Sequence, residues 1–177
     1  AVGVDMLSGY YLAYLSAPKG ATNLSPVTTL LRSIDDDLVA ANTGLGLSAR
    51  EISSFAAGAA MSSANADTAA LGRRVTAYNL KLSALAPLSR PSDQGVQPDA
   101  SIIFDTFQAT MGEQFRSRRV DLNNASAIRS LLEHMPLATR FASPDARRAI
   151  ADLLARYGSA VDQYLTEPRR AADVQHG

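Results

Sequence analysis

The chain has 177 residues, enough to bury one ordinary core or two small ones, and 46% of them are hydrophobic. Its 17 basic and 17 acidic residues cancel, so no global field favours nucleic acid or an anionic lipid surface. The absence of Cys excludes a disulfide framework, a thiolate metal site and a Cys nucleophile.

Much of the hydrophobic content is Ala, aromatics are 6% and Trp is absent, a balance that suits close helix–helix contact better than a thick sheet sandwich. The apolar runs are short and broken by polar residues, so the sequence contains no membrane span. It begins Ala1-Val2-Gly3, without Met and without a basic-then-apolar leader pattern. The expectation is a mature product or, preferably, a piece of a longer polypeptide.

In chain order, Val2 to Tyr14 is the one extended region. Ser8-Gly9 is a turn signal, and Tyr10, Leu12 and Tyr14 alternate with Tyr11, Ala13 and Leu15, which predicts a short β-hairpin over 1–16, with a short helix carrying Leu7, Leu12 and Leu15 as the alternative. Ser25 is then a natural N-cap with Pro26 at the first helical position. Val27, Leu30, Leu31, Ile34 and Leu38 follow at helical spacing, predicting one helix that runs to Asn42-Thr43-Gly44. Ser48 and Glu51 form a capping box for a second helix with Ile52 and Phe55 behind it, fading near Met61. Asp67 is the expected cap of a third, with a stripe of Leu71, Val75, Tyr78, Leu82 and Leu85, closed by Pro87.

Leu88 to Pro98 is rich in Pro, Ser and Gly and reads as a surface crossover. Pro98-Asp99 opens a helix whose Ile103, Phe104, Phe107, Met111 and Phe115 suggest a central position. A shorter helix starts at Asn124 or Ala125, carries Ile128, Leu131 and Leu132, and stops before Pro136. Ser143-Pro144-Asp145 starts the clearest helix, with a stripe of Ile150, Leu153, Leu154, Tyr157, Val161, Tyr164 and Leu165. The expected fold is therefore mainly α, an irregular bundle of about six helices with a short N-terminal β-hairpin. Residues 1–168 form a single domain and 169–177 a polar tail or linker.

Leu15, Ala17-Pro18, Gly20-Ala21 and the run Ser25-Pro26-Val27-Thr28-Thr29-Leu30-Leu31 resemble a pattern in very large bacterial secreted and cell-surface repeat proteins. There, an extended piece leads into "(S/T)P(L/V)TTL(L/V)", which opens an Ala-rich helical segment. Gly46-Leu47-Ser48 and the stretch from Val120 to Leu132 follow in a similar order. Arg supplies nearly all the basic charge, Lys19 and Lys81 being the sole lysines, which fits a GC-rich bacterial source. The resemblance implies a helical module of an adhesin or biofilm-associated protein, secreted or at the cell surface, and it brings no catalytic residues with it. The departure is Ala59 to Asp67, more polar than the pattern, where the register of the second and third helices is open.

Candidate chemistry is thin. His134 and His176 are the two imidazoles, with no HExxH and no second His one turn away, so a surface or capping role is the reading for His134. Asp35-Asp36-Asp37 raises calcium, but three successive carboxylates on a helix splay over about 200° and read as a solvated face. No G-x-S-x-G elbow or phosphate-binding glycine loop is present. Arg73-Arg74, Arg118-Arg119, Arg147-Arg148 and Arg169-Arg170 are open to two readings, a basic face or intrahelical ion pairs. Tyr10, Tyr11 and Tyr14 are the candidate interface, since half of a hairpin's side chains face outward and clustered tyrosines suit carbohydrate or protein contact; the competing reading is that they pack on the bundle.

The expected function is that of a non-catalytic structural or adhesive module without cofactor or metal. It associates with neighbouring modules or copies of itself, into a filament or matrix, with carbohydrate or a host or cell-surface protein as further partners, and with no nucleic acid. The alternative is a secreted helical effector or binding domain that contacts an acidic partner through its arginine faces.

Overall fold

The computed structural model describes residues 15–89, 100–135 and 143–166, together with the backbone of 3–4 and 11–12; the side chains at 87, 89, 100–107 and 166 are outside that description. The described chain is mainly α: α1 (Pro26–Thr29), α2 (Asp37–Thr43), α3 (Ala49–Ser54), α4 (Ala57–Met61), α5 (Ala66–Leu85), α6 (Ala100–Ser117), α7 (Ala125–His134) and α8 (Pro144–Thr166), with a 3-10 turn at Ala86–Ser89 after α5. Gly3–Val4 and Tyr11–Leu12 make a two-residue antiparallel backbone pair, Gly3 opposite Leu12. That pair does not establish the expected hairpin over 1–16, whose Ser8-Gly9 turn lies outside the described residues, as do most of the crossover over 88–98 and the tail.

The run from Ser25 to Leu31 is buried from end to end. Ser25 Oγ accepts from the Thr28 N–H, and Thr28 Oγ1 accepts from the Ser25 N–H at 2.8 Å, a reciprocal cap in which Thr replaces the usual Glu. Thr29 Oγ1 donates to the Ser16 carbonyl and accepts from the Ser16 N–H, tying the extended segment before it to α1. From α5, Asn79 Oδ1 accepts the Val27 N–H at 2.9 Å, satisfying a further donor at the start of α1. Four residues of helix would not persist alone; these side chains and the full burial of Val27, Leu30 and Leu31 hold it.

The single helix expected over 26–42 is two. After Thr29 the chain leaves the helix, and Asp36 Oδ2 accepts from the Arg32 N–H while Ser33 Oγ accepts from the Asp35 N–H. Side chains that bond their own backbone compete with helix, and here they win because Asp36 is also held by Arg116 on α6. The break rotates the second piece, and Leu38, expected on the apolar stripe, is 67% exposed. Gln108 on α6 donates to the Leu31 carbonyl and Asn42 on α2 donates to the Phe115 carbonyl, binding α6 across both pieces.

The Ser48–Glu51 box forms as expected: Glu51 accepts from the Ser48 N–H at 2.8 Å, and the bonds from the Ser48 backbone and hydroxyl hold the Glu51 carboxyl below its ordinary value. The helix ends at Ser54, and Ala57–Met61 is a separate α4. The cap of α5 is Asn65, whose Oδ1 accepts from the Thr68 N–H at 2.9 Å; Asp67, the expected cap, lies inside the first turn. Of the two expected starts of α7, Ala125 is the first helical residue and Asn124 its cap, and Ser143 Oγ accepts from the Ala146 N–H of α8.

The hub is α5, which packs against α1, α4, α8 and the 3-10 turn. The aromatic-rich α6, expected at the centre, packs against α2, that turn and α7, with Met111 and Phe115 fully buried. Tyr78 of α5 meets Phe115 edge-on, ring centroids 6.3 Å apart. Ala151, Ala155 and Gly158 are the buried line of α8, whereas Leu153 and Tyr164, expected in its stripe, are 61% and 69% exposed. Small residues let α8 lie close to α5 and α7, and the large apolar residues are turned onto its flanks and outer face.

Candidate functional site

The expected candidate interface Tyr10, Tyr11 and Tyr14 falls outside the described side chains, as do His176 and Arg169-Arg170. His134 is exposed at the end of α7, and its Nδ1–H donates to the Ser130 carbonyl 2.7 Å away in its own helix.

Asp35 and Asp37 are exposed, as expected of a solvated face, but the triplet lies at the break before α2 rather than along a helix. Asp35 pairs with Arg50 at 3.0 Å, Asp36 pairs with Arg116, and Asp37 Oδ1 accepts from the Ala49 N–H at 3.0 Å. Three consecutive carboxylates thus turn to three different partners, on α3, α6 and the start of α3. Among the described residues no group of acidic or imidazole side chains is arranged to hold a metal ion.

The arginine pairs divide. Arg118 donates to Gln114 and to Ser130 at 2.7 Å, bridging α6 and α7, and Arg148 lies 3.6 Å from Asp145 one turn back. Arg74 and Arg119, each the second member of a pair, line one cleft. This is the site that the sequence reading did not assemble.

The cleft, about 460 Å³, lies where the C-terminal end of α2 (Thr43, Gly44, Leu45) meets three residues of α5, the loop Arg119–Leu122, and Asp162 of α8. Arg74, Tyr78 and Lys81 fall at i, i+4 and i+7, so one face of α5 supplies all three. That spacing was the available signal; what it lacked was the identity of the facing loop. Gly44 ends α2 in the left-handed region at φ +72°, and the Arg119 guanidinium lies directly over it. A Cβ at this position would stand 2.7 Å from Arg119 Nη2, so the glycine serves both the turn and the arginine. The placement also sets a cation beside the negative end of α2.

Charges in the cleft are partly cancelled. Lys81 Nζ meets Asp162 Oδ1 at 2.6 Å, and Asn123 Nδ2 donates to the other oxygen of Asp162 at 2.5 Å. Asp121 Oδ1 accepts from the Asn123 N–H. Arg74 and Arg119 have no ion pair among the described residues. The Tyr78 hydroxyl is buried and has no hydrogen-bond partner among the described residues. Burial pushes its phenol well above the ordinary value, with Arg119 pulling it down and Asp121 pushing it up. The group is therefore a neutral donor at physiological pH.

No known protein family, curated protein or solved structure matches this chain.

Proposed function

We propose that this chain is a non-catalytic helical module of a bacterial secreted or cell-surface protein that works by associating with a second copy of itself or with a neighbouring module. The observation that carries the reading is the outer face of α8, where Leu153 at 61% and Tyr157 at 39% exposure stand one turn apart. Asp152 and Arg156 lie exposed on one flank of that pair, so two α8 helices packed antiparallel bring opposite charges together about their two-fold axis. A formal net charge of zero sets no long-range repulsion against such pairing. The N-terminal hairpin over 1–16, with Tyr10, Tyr11 and Tyr14 as its contact residues, belongs to the same proposal as a second edge for association. The resemblance of the Ser25–Leu31 run to adhesin and biofilm-protein modules supports the setting; within this chain that run is fully explained as buried helix punctuation.

Sedimentation or light scattering over a concentration series tests the reading. A dimer or larger assembly that Leu153→Asp disperses, without loss of helicity, supports it. A strict monomer at millimolar concentration counts against self-association.

The alternative, a secreted binding domain for an acidic partner, draws on Arg74 and Arg119 having no ion pair among the described residues. Binding to an acidic polypeptide that weakens steeply with salt would favour it.

A further inference from the structure

Among the described residues, the cleft beneath Gly44 has a donor excess that the fold does not use. Asp162 is bonded by Lys81 and Asn123, whereas the guanidinium groups of Arg74 and Arg119 make no ion pair among the described residues. Tyr78 is 8% exposed, and its hydroxyl lacks a partner among the described residues. An unsatisfied buried hydroxyl costs on the order of 1–3 kcal/mol, and Phe at the same place would pack against Phe115 without that cost. Tyr78 lines the cleft, so a ligand seated against it could bring the acceptor that this hydroxyl lacks among the described residues.

The chemistry of that ligand follows from the lining. Three cations, Arg74, Lys81 and Arg119, stand against two anions, Asp121 and Asp162, leaving a single positive excess. One excess charge matches a monoanion better than a phosphate dianion. The planar guanidinium fork matches the two oxygens of a carboxylate. Asp121, one of whose oxygens takes the Asn123 N–H, has capacity left to accept from a hydroxyl or ammonium beside that carboxylate. The volume of about 460 Å³ lies in the range of small-molecule sites and holds a sugar or an amino acid rather than a folded partner.

We propose that this cleft is a binding site for a small organic carboxylate carrying an adjacent hydroxyl or ammonium group, held by Arg74 and Arg119 with the Tyr78 hydroxyl as a further donor. The site deepens the arginine reading and does not depend on association through α8. An acidic sugar and a free amino acid share this chemistry, and the two are separated by the probes.

Isothermal titration calorimetry of the full chain with glucuronate, glutamate, glucose and inorganic phosphate tests it. Saturable one-to-one binding of glucuronate or glutamate, with none for glucose and weaker binding for phosphate, is expected; which of the two carboxylates binds identifies the source. Arg74→Gln and Arg119→Gln, both at exposed positions, each lower the affinity by about tenfold or more. Tyr78→Phe weakens binding while leaving the ligand-free melting temperature unchanged or raised, a combination that a purely structural tyrosine would not give. Failure of both carboxylates to bind, binding untouched by the arginine changes, or phosphate binding as tightly as the carboxylates overturns the proposal. If the carboxylates fail while an acidic polypeptide still binds with steep salt dependence, the surface-arginine reading survives and the cleft does not.

Discussion

The guanidinium of Arg116 on α6 closes on the carboxylate of Asp36, eighty residues earlier in the chain, with side-chain exposures of 17% and 10%. The same arginine takes Glu113 at 3.2 Å, and Glu113 also holds Arg32, so the pair anchors both ends of the break between α1 and α2. Removing one partner strands a largely buried charge, which costs about 3 kcal/mol, whereas removing both costs less. Arg116→Met and Asp36→Asn are each expected to lower stability by about that amount in urea titrations. The Asp36→Leu, Arg116→Leu double change is expected to recover a substantial part of the loss.

Tyr78 sets the alkaline limit of the fold. Its phenol is raised in the folded state above the ordinary value of 10.0, so the folded chain holds that proton more tightly than the unfolded chain does. The associated stability is fully present below about pH 10 and is lost as pH rises through the folded value. Melting temperature is expected to fall from about pH 10 upward in the native protein, and less steeply in Tyr78→Phe.

Two helical glycines are steric requirements. A Cβ at Gly72 of α5 would stand 2.6 Å from the Met61 backbone nitrogen and 2.9 Å from the Ala60 carbonyl carbon, and one at Gly158 would stand 2.8 Å from the Leu122 carbonyl oxygen. Backbone cannot swing aside as a side chain can. In an open helix Gly→Ala stabilises by about 1 kcal/mol. Here Gly72→Ala and Gly158→Ala are both expected to destabilise by about 1–3 kcal/mol, read by chemical denaturation.

The start of α1 depends on two residues distant in sequence. Ser25→Ala removes one half of the reciprocal cap and is expected to cost about 1 kcal/mol. Asn79→Ala leaves the N–H of Val27, itself fully buried, without an acceptor and is expected to cost about 1–3 kcal/mol. Hydrogen exchange at Val27 and Thr28 separates the two: both changes accelerate it, and loss of Asn79 acts most on Val27.

The exposed Leu38 makes the converse case. Leu38→Lys is expected to change stability by no more than about 0.5 kcal/mol, because the side chain is 67% exposed. A continuous helix over 26–42 would have made the same change a core substitution, so the measured value separates the two architectures.

Local signals carried as far as local physics reaches. The caps at Ser25, Ser48, Asn124 and Ser143 were legible because each is a bond between residues three apart, as were the apolar positions of α5 and α7 that lie over the core. The mainly α character followed from the same spacing. The break before α2 was not legible, because the bond that stabilises it comes from Arg116, whose position relative to Asp36 no sequence window contains. The inward face of α8 was legible only in part, through Ile150 and Leu154, which pack against the core. Periodicity weighted by large apolar residues picks Leu153, Tyr157 and Tyr164, whereas close approach to α5 and α7 selects Ala151, Ala155 and Gly158.

The cleft shows the division most plainly. The sequence by itself placed Arg74, Tyr78 and Lys81 on one helical face and a glycine at the end of α2, for helix geometry and backbone sterics need nothing beyond the chain's own neighbours. That Arg119 lies over Gly44, that Asp162 neutralises Lys81, and that the Tyr78 hydroxyl is left without a partner among the described residues were decided by tertiary structure alone. Each is a relation between segments dozens of residues apart, set by how the helices pack rather than by what any one of them prefers.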